Sequence, residues 1–296
     1  MTYEEAISLC KSSKRLTEQQ SKKINRLADS LIYSTKKTDE DREKGVRLYL
    51  AAVEANDAHA EYNLGYYYGN GMLKDYKQSI KWYTLAANHG DAWAMNNLSY
   101  AYYNGEGVEI NETKALYWLK KAAKKGDSLA QYTLYKRYYY GDRVRKNRPL
   151  AMKWLQLSAE NGESFAQYDL SWHYRKGEYV EQSDEQELYW LKESIAGGDD
   201  YAVNALGYNY LNGIGVEKDA VKAVELFRKA ARKKNEHAAY NLGRCYRDGD
   251  GVEKNLKESI RWFCLAQRWC IDLDPLELQE KIDSLKQTLK EQQIKQ

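Results

Sequence analysis

Proline is almost missing from this chain: 2 residues in 296. Proline removes a backbone donor and clashes with the preceding helical turn, so its scarcity permits long helical runs. Long apolar runs are missing as well. Charged residues make up 30% of the sequence and mean hydropathy is −0.83. No stretch reaches the roughly 20 apolar residues that a spanning helix needs, which excludes a helical membrane protein. The first residues, MTYEEAISLCKSSKR, have neither a basic region nor an apolar one behind it. No secretory signal is therefore expected, and the expected location is cytoplasmic, with specialised export as the alternative.

The residues that carry chemistry are few. Cys10, Cys245, Cys264 and Cys270 form no C-x-x-C and no paired spacing, so neither a zinc site nor a disulfide framework is indicated and buried free thiols are expected. The histidines number 4. His59 and His237 share one repeat register and read as turn residues, and His89 falls in another turn. His173 lies between Trp172 and Tyr174, with Asp169 the sole acid at helical spacing, which is too few ligands for a metal. No G-x-x-x-x-G-K-[ST] phosphate loop is present, and the carboxylates are too many to single out an acid–base pair. The expectation is no catalytic residue, no metal and no cofactor; an enzyme reading would rest on His173 and Asp169.

What is abundant is tyrosine, 27 residues, and repetition. Tryptophans recur every 36 residues at Trp82, Trp118, Trp154, Trp190 and Trp262, with Leu226 on the missing rung. Glycines keep the same period at Gly69, Gly105, Gly141, Gly177, Gly213 and Gly249. Alanines follow at Ala94, Ala130, Ala166, Ala202 and Ala238. A fixed period of this length marks a repeat architecture.

Each unit reads as two helices. In AAYNLGRCYRDG the anchors Ala238, Leu242 and Tyr246 make one buried stripe. Gly243 is expected where a neighbouring backbone approaches, and Gly249 where a helix ends. GDGVEKN then leads to LKESIRWFCLAQ, with Asn255 as N-cap. One hairpin cannot bury its apolar face alone, but a stack makes a continuous core.

The pattern A-x-x-x-L-G-x-x-Y-x-x-G-x-G-V-x-x-D/N-x-x-x-A-x-x-W-x-x-x-A-A-x-x-G-D resembles the Sel1-like repeat, a relative of the tetratricopeptide repeat. NALGYNYLNGIGVEKDAVKAVELFRKAA matches it closely, apart from Leu226 in place of Trp. YDLSWHYRKGEYVEQSDEQELYWLKESIAGGD departs, with Ser171 for the helix glycine and Tyr179 for the second loop glycine. The resemblance implies an all-α fold, a right-handed α/α solenoid of Sel1-like, TPR-like helix-turn-helix repeats with helical caps. It divides the chain into an N-terminal cap over 1–40 with a degenerate first repeat helix, a solenoid over 41–267 and a C-terminal capping helix over 268–296. In that last segment Asp274 suits an N-cap, Pro275 the first helical position, and Leu278, Ile282, Leu285 and Leu289 one apolar stripe. About two heptads are too few for a coiled coil, so a monomer is expected rather than a dimer. Some secreted members of the family bridge every repeat with a disulfide. Here only Cys245 and Cys264 share a repeat, which points to a reducing compartment.

The triplet Tyr-Tyr-Tyr-Gly occurs at Tyr66 and again at Tyr138. In the second copy Ala130, Leu134 and Tyr138 form the stripe, leaving Tyr139 and Tyr140 off it. In the first, two residues are missing, so either Tyr66 or Tyr68 is the buried one. Deleting two residues inside a helix rotates everything beyond by about 200°, whereas loops absorb deletions. The reading favoured is a shortened loop with Tyr68 buried.

Helical geometry places a second set of side chains opposite the stripe. They are Tyr132, Lys136, Tyr139 and Tyr140, then Tyr168, Trp172, Arg175 and Lys176. Asn96, Tyr100, Tyr103 and Asn104 flank them on one side and Asn204, Tyr208, Leu211 and Asn212 on the other. The family resemblance implies that this face lines a concave groove. Tyr, Trp and Arg are frequent interface anchors, so the expectation is a non-enzymatic adaptor or scaffold for protein or peptide partners. An immunity-type inhibitor of a cognate toxin or enzyme and a bacterial host-directed effector are the alternatives; a packing role for the tyrosines is the bland one. Charge is segmented too: residues 120–153 carry 11 Lys/Arg against 2 Asp/Glu, and 178–200 carry 8 Asp/Glu against 1 Lys. That can steer a charged partner. Nucleic acid is disfavoured, because the acidic block would repel it, and no membrane partner is indicated.

Overall fold

A computed structural model describes residues 1–34, 37–71, 74–269 and 274–294. Among the described residues there are sixteen α-helices and no strand. The chain falls into two compact units, Met1–Ala151 and Met152–Gln296.

In the first unit α1 (Tyr3–Ser12) precedes three helix pairs: α2 (Glu18–Ile32) with α3 (Asp39–Glu54), α4 (Ala58–Asn70) with α5 (Tyr76–Asn88), and α6 (Ala92–Asn104) with α7 (Glu112–Lys124). α8 (Ser128–Tyr140) follows, and α9 (Arg148–Glu160) carries the unit boundary. The second unit pairs α10 (Ser164–Lys176) with α11 (Asp184–Ala196), α12 (Asp200–Asn212) with α13 (Ala220–Ala231), and α14 (Glu236–Asp248) with α15 (Leu256–Trp269). α16 (Pro275–Ile294) ends the chain.

The repeat is built from local chemistry. Asp91 and Asp127 cap α6 and α8, each carboxylate accepting the backbone N–H of Ala94 at 2.7 Å or Ala130 at 2.6 Å. Gly105, Gly141, Gly177, Gly213 and Gly249 end the first helices in left-handed conformation. A recurring bond closes the following loop: the N–H of Asn111, Asp219 and Asn255 donates to the carbonyl of Tyr102, Tyr210 and Tyr246, each at 2.8 Å. Asn255 in turn caps α15 through the N–H of Glu258 at 3.1 Å. Ala94, Leu98, Ala130, Leu134, Ala166, Leu170, Ala238 and Leu242 are all fully buried, so the first two members of the stripe form the core.

The third member behaves differently. Tyr138 is buried, but Tyr68 and Tyr246 are only half-buried, because a tyrosine at the helix end keeps its hydroxyl near water. α4 and α6 have equal length, while the connection after α4 (71–75) is two residues shorter than that after α6 (105–111). The loop has absorbed the deletion, Tyr66 is exposed, and Tyr68 packs on the core. Gly69 therefore lies inside α4, buried beside Ser79, and not at a cap. Gly243 faces the ring of Phe263 and not a backbone.

Two further expectations are corrected. Leu211, placed by helical geometry on the open face, is buried in the core around Phe227. Cys10 and Cys245 are buried free thiols, and burial pushes Cys245 up to about 11. Cys264 is exposed, since its position on α15 turns it to solvent; Cys270 lies outside the described residues. At the C-terminal end Asp274 accepts the N–H of Leu276 at 2.8 Å, and Pro275 opens α16. Leu278, Ile282 and Leu285 cover Phe263 and Ala266, and Leu289 is half-buried. No helix among the described residues is long and apolar enough to cross a membrane.

Candidate interaction faces

In the first unit α6 and α8 present their outer faces side by side. Asn96, Tyr100, Tyr103 and Asn104 from α6, with Lys136 and Tyr140 from α8, line a cavity of about 650 Å³. Leu119, Leu129, Thr133, Arg137 and Asp142 complete most of its wall. Tyr100 and Tyr140 are 58% and 67% exposed, unusually open for aromatic side chains, and stand at its edge. Tyr103 anchors the wall. Its hydroxyl donates to Asp142 at 2.9 Å, and the guanidinium groups of Arg137 and Arg143 lie 4.4 and 4.1 Å from its ring centre. The bond to Asp142 raises the pKa of Tyr103.

Two residues expected on this face are occupied elsewhere. Tyr132 stacks on buried Tyr135 at 5.8 Å under the ammonium of Lys136, 4.7 Å from its ring. Tyr139 packs on Tyr135 at 5.4 Å, with the Arg148 guanidinium 5.2 Å above it. The basic loop 143–148 thus stacks Arg143 and Arg148 on tyrosines, so part of its charge serves packing.

In the second unit Tyr168, Trp172, Arg175 and Lys176 from α10, Asn204 and Tyr208 from α12, and His237, Tyr240, Asn241 and Arg244 from α14 line a cavity of about 440 Å³. Its walls carry three arginine or lysine side chains and no carboxylate. Arg175 sits 4.8 Å from the Tyr208 ring and 3.7 Å from Glu187. Glu187 is buried, which raises its pKa, although the N–H of Asn209 at 3.0 Å and Arg175 oppose that rise. Burial lifts Tyr168 to about 12. Asn212 is not part of the cavity lining; its amide donates to the Tyr208 carbonyl at 2.8 Å.

Sequence reasoning misses the α14 side of this cavity, because the repeat register makes His237 a turn residue and the helical projection reaches only to α12. It also misses Arg137. The register three residues after the anchor Leu is buried in successive repeats, as Ala101, Arg137, His173, Asn209 and Cys245. An arginine, the one permanently charged residue in a register that otherwise holds Ala101, His173, Asn209 and Cys245, is the available signal. Among the described residues no group of three or more His, Cys, Asp or Glu could hold a metal ion.

The hairpin period, caps and buried registers belong to a known pattern. The Sel1 repeat family model matches seven consecutive stretches: 24–57, 58–91, 94–127, 129–163, 164–199, 200–235 and 236–266. This chain belongs to the Sel1 repeat family. No curated relative matches it significantly. Among solved structures, this Sel1 repeat chain is similar to a Sel1 repeat protein from Oxalobacter formigenes, with 27% identity and a TM-score of 0.72 over 84% of this chain and 99% of that one. It is also similar to c5321, a protective antigen of uropathogenic Escherichia coli with an SLR fold, at 26% identity and a TM-score of 0.55. That match covers 89% of this chain and 64% of c5321. The immunity protein Pa5087 from Pseudomonas aeruginosa shares 20% identity at a TM-score of 0.44, over 72% of this chain and 81% of that one.

Proposed function

We propose that this Sel1 repeat chain is a non-enzymatic adaptor that binds protein or peptide partners through the tyrosine-rich, groove-lining faces of its first helices opposite the buried stripe, one face in each unit. The observation that carries this reading is the pair Tyr100 and Tyr140, both exposed at the edge of the cavity that Lys136 lines. Large aromatic area left in water gains free energy when an apolar partner covers the rings, while the hydroxyls and the nearby cation can keep polar contacts, so the pair can anchor a partner. Family membership supports the reading by fold analogy.

The test is a quantitative pull-down from native lysate with three chains of unchanged circular dichroism: wild type, Tyr100→Ala/Tyr140→Ala, and Trp172→Ala/Arg175→Ala. A protein enriched by wild type and lost with either variant supports the adaptor reading and says which face holds it. Identical profiles from all three overturn it. A single enriched enzyme whose turnover the chain blocks would instead favour an inhibitor.

A further inference from the structure

Arg137 is buried, charged and without an acceptor. The residue is 7% exposed and lines the cavity between α6 and α8. Among the described residues no hydrogen bond or ion pair within 4 Å reaches its guanidinium; its contact is the Tyr103 ring at 4.4 Å. The carboxylates nearby are engaged elsewhere. Asp142 accepts the Tyr103 hydroxyl at 2.9 Å, and Glu112 pairs with Arg143 at 3.7 Å. The other polar side chains in the same register do find partners: His173 meets the Glu178 carbonyl at 3.2 Å, and Asn209 donates to Glu187 at 3.0 Å.

An arginine stays protonated at any working pH and carries five donors in a rigid fork. Most of the side chain is withdrawn from water, and its guanidinium nitrogens, open only toward the cavity, meet no protein acceptor among the described residues; that is unfavourable, and burial lowers its pKa. The free energy is recovered when a ligand brings an anion with two oxygens. The cavity has room for a side chain and its neighbours. Its wall holds Lys136, Arg137 and Asp142, a balance that suits one negative charge better than a doubly charged phosphate. Leu129, Tyr100 and Tyr140 offer apolar surface beside the cations.

We propose that this cavity is a carboxylate-recognition site, taking an Asp or Glu side chain of a partner protein segment against Arg137, with an adjacent apolar residue against Tyr100 and Tyr140. The proposal rests on the interaction reading above and adds the chemistry of the partner. Charge complementarity selects the acid, and the exposed rings select the neighbour.

The test begins with a random-peptide display library selected on the full-length chain. The expected result is one fixed position held by Asp or Glu next to an apolar residue. Replacing that acid by its amide weakens binding about tenfold or more, the scale of a charge-assisted bidentate pair. In Arg137→Gln the acid and amide peptides bind alike, which assigns the preference to Arg137. If Arg137→Gln does not fold, the Arg137 Nε–Hε resonance of wild type is followed instead. It shifts with the acid peptide and not with the amide peptide.

Selected peptides without a fixed acid, or an acid preference that survives in Arg137→Gln, overturn this site and leave the adaptor reading standing. No selected peptide overturns it as well, and the pull-down with Tyr100→Ala/Tyr140→Ala then decides the adaptor reading separately. Displacement of the peptide by inorganic phosphate or a single-stranded oligonucleotide as readily as by glutarate makes the cavity a general anion site. That result also overturns the proposal.

Discussion

Gly243 of α14 faces the ring of Phe263 on α15 so closely that a Cβ there would stand 2.8 Å from the ring edge. The same relationship links Gly207 with Phe227 and Gly65 with Tyr83. Where the helix residue is larger, as at Ser99 and Ser171, the corresponding second-helix residue is the smaller Leu119 or Leu191. In these five repeats an aromatic ring on the second helix accompanies glycine on the first, and a leucine accompanies serine.

Gly243→Ala therefore sets a gain in helix propensity against a clash in a packed core. Propensity favours Ala by about 0.5–1 kcal/mol, and overpacking costs about 1–3 kcal/mol. The clash is expected to win, because Phe263 is fully buried. A lower urea midpoint for Gly243→Ala, restored in part by adding Phe263→Leu, is the expected outcome.

Gly251 makes a closer approach still. Its φ is +70° and a Cβ would lie 2.1 Å from the carbonyl oxygen of Ala220 at the start of α13. Backbone cannot yield as a flexible side chain can, so Gly251→Ala is expected to cost more than about 2 kcal/mol. Thermal unfolding should show a larger loss for Gly251→Ala than for Gly243→Ala. Tyr179, which takes the equivalent place two repeats earlier, keeps a φ of +64° but is exposed, so replacing it with Gly should be mild by comparison.

His173 is fully buried, and burial lowers its pKa below the ordinary value. The unfolded chain then binds this proton more readily than the folded one. Its contribution to stability is present above about pH 6.5 and is lost as pH falls from there toward the lowered folded value. Half-buried Asp91 and buried Asp127, Asp199, Glu61 and Glu187 have raised pKa values and act in the opposite sense: their contribution is present at low pH and is lost as pH rises through the folded value. The quantity to measure is the stability of wild type minus that of His173→Asn by denaturation between pH 7.5 and 5, from about 1 unit above the ordinary histidine value to about 1.5 below it. That difference should shrink on acidification.

Arg137→Met should separate binding from folding. An unpaired buried cation contributes little to stability, and an apolar side chain of similar length is often as good or better. Without ligand, the variant is expected to be as stable as wild type to within about 1 kcal/mol, or more stable, while losing its preference for acidic peptides. Denaturation of the apo chain gives the first quantity, and peptide anisotropy the second.

The face opposite the stripe was legible in part. Tyr100, Tyr103, Lys136 and Tyr140 do line one cavity, and Tyr168, Trp172, Arg175 and Tyr208 another, in the separate unit. Helical projection places side chains by angle about one axis. Tyr132 and Tyr139 have suitable angles, but Tyr135 beside them stacks with the one and packs tilted against the other. Leu211 also has the angle, yet the neighbouring core absorbs it. Angle alone carries no information about what stands across from a residue.

The sequence by itself determined the repeat. Its period, Asp and Asn caps, glycine stops and alanine–leucine stripe act within one hairpin or between adjacent hairpins, and the same short-range chemistry recurs every 36 residues. Only the tertiary structure decided how buried registers are used. Gly243 answers to Phe263, twenty residues away, His173 to a carbonyl, and Arg137 to no acceptor among the described residues. Each of these depends on distances of a few ångströms from a helix to a facing helix or to the loop beyond it, which periodicity along one helix does not encode.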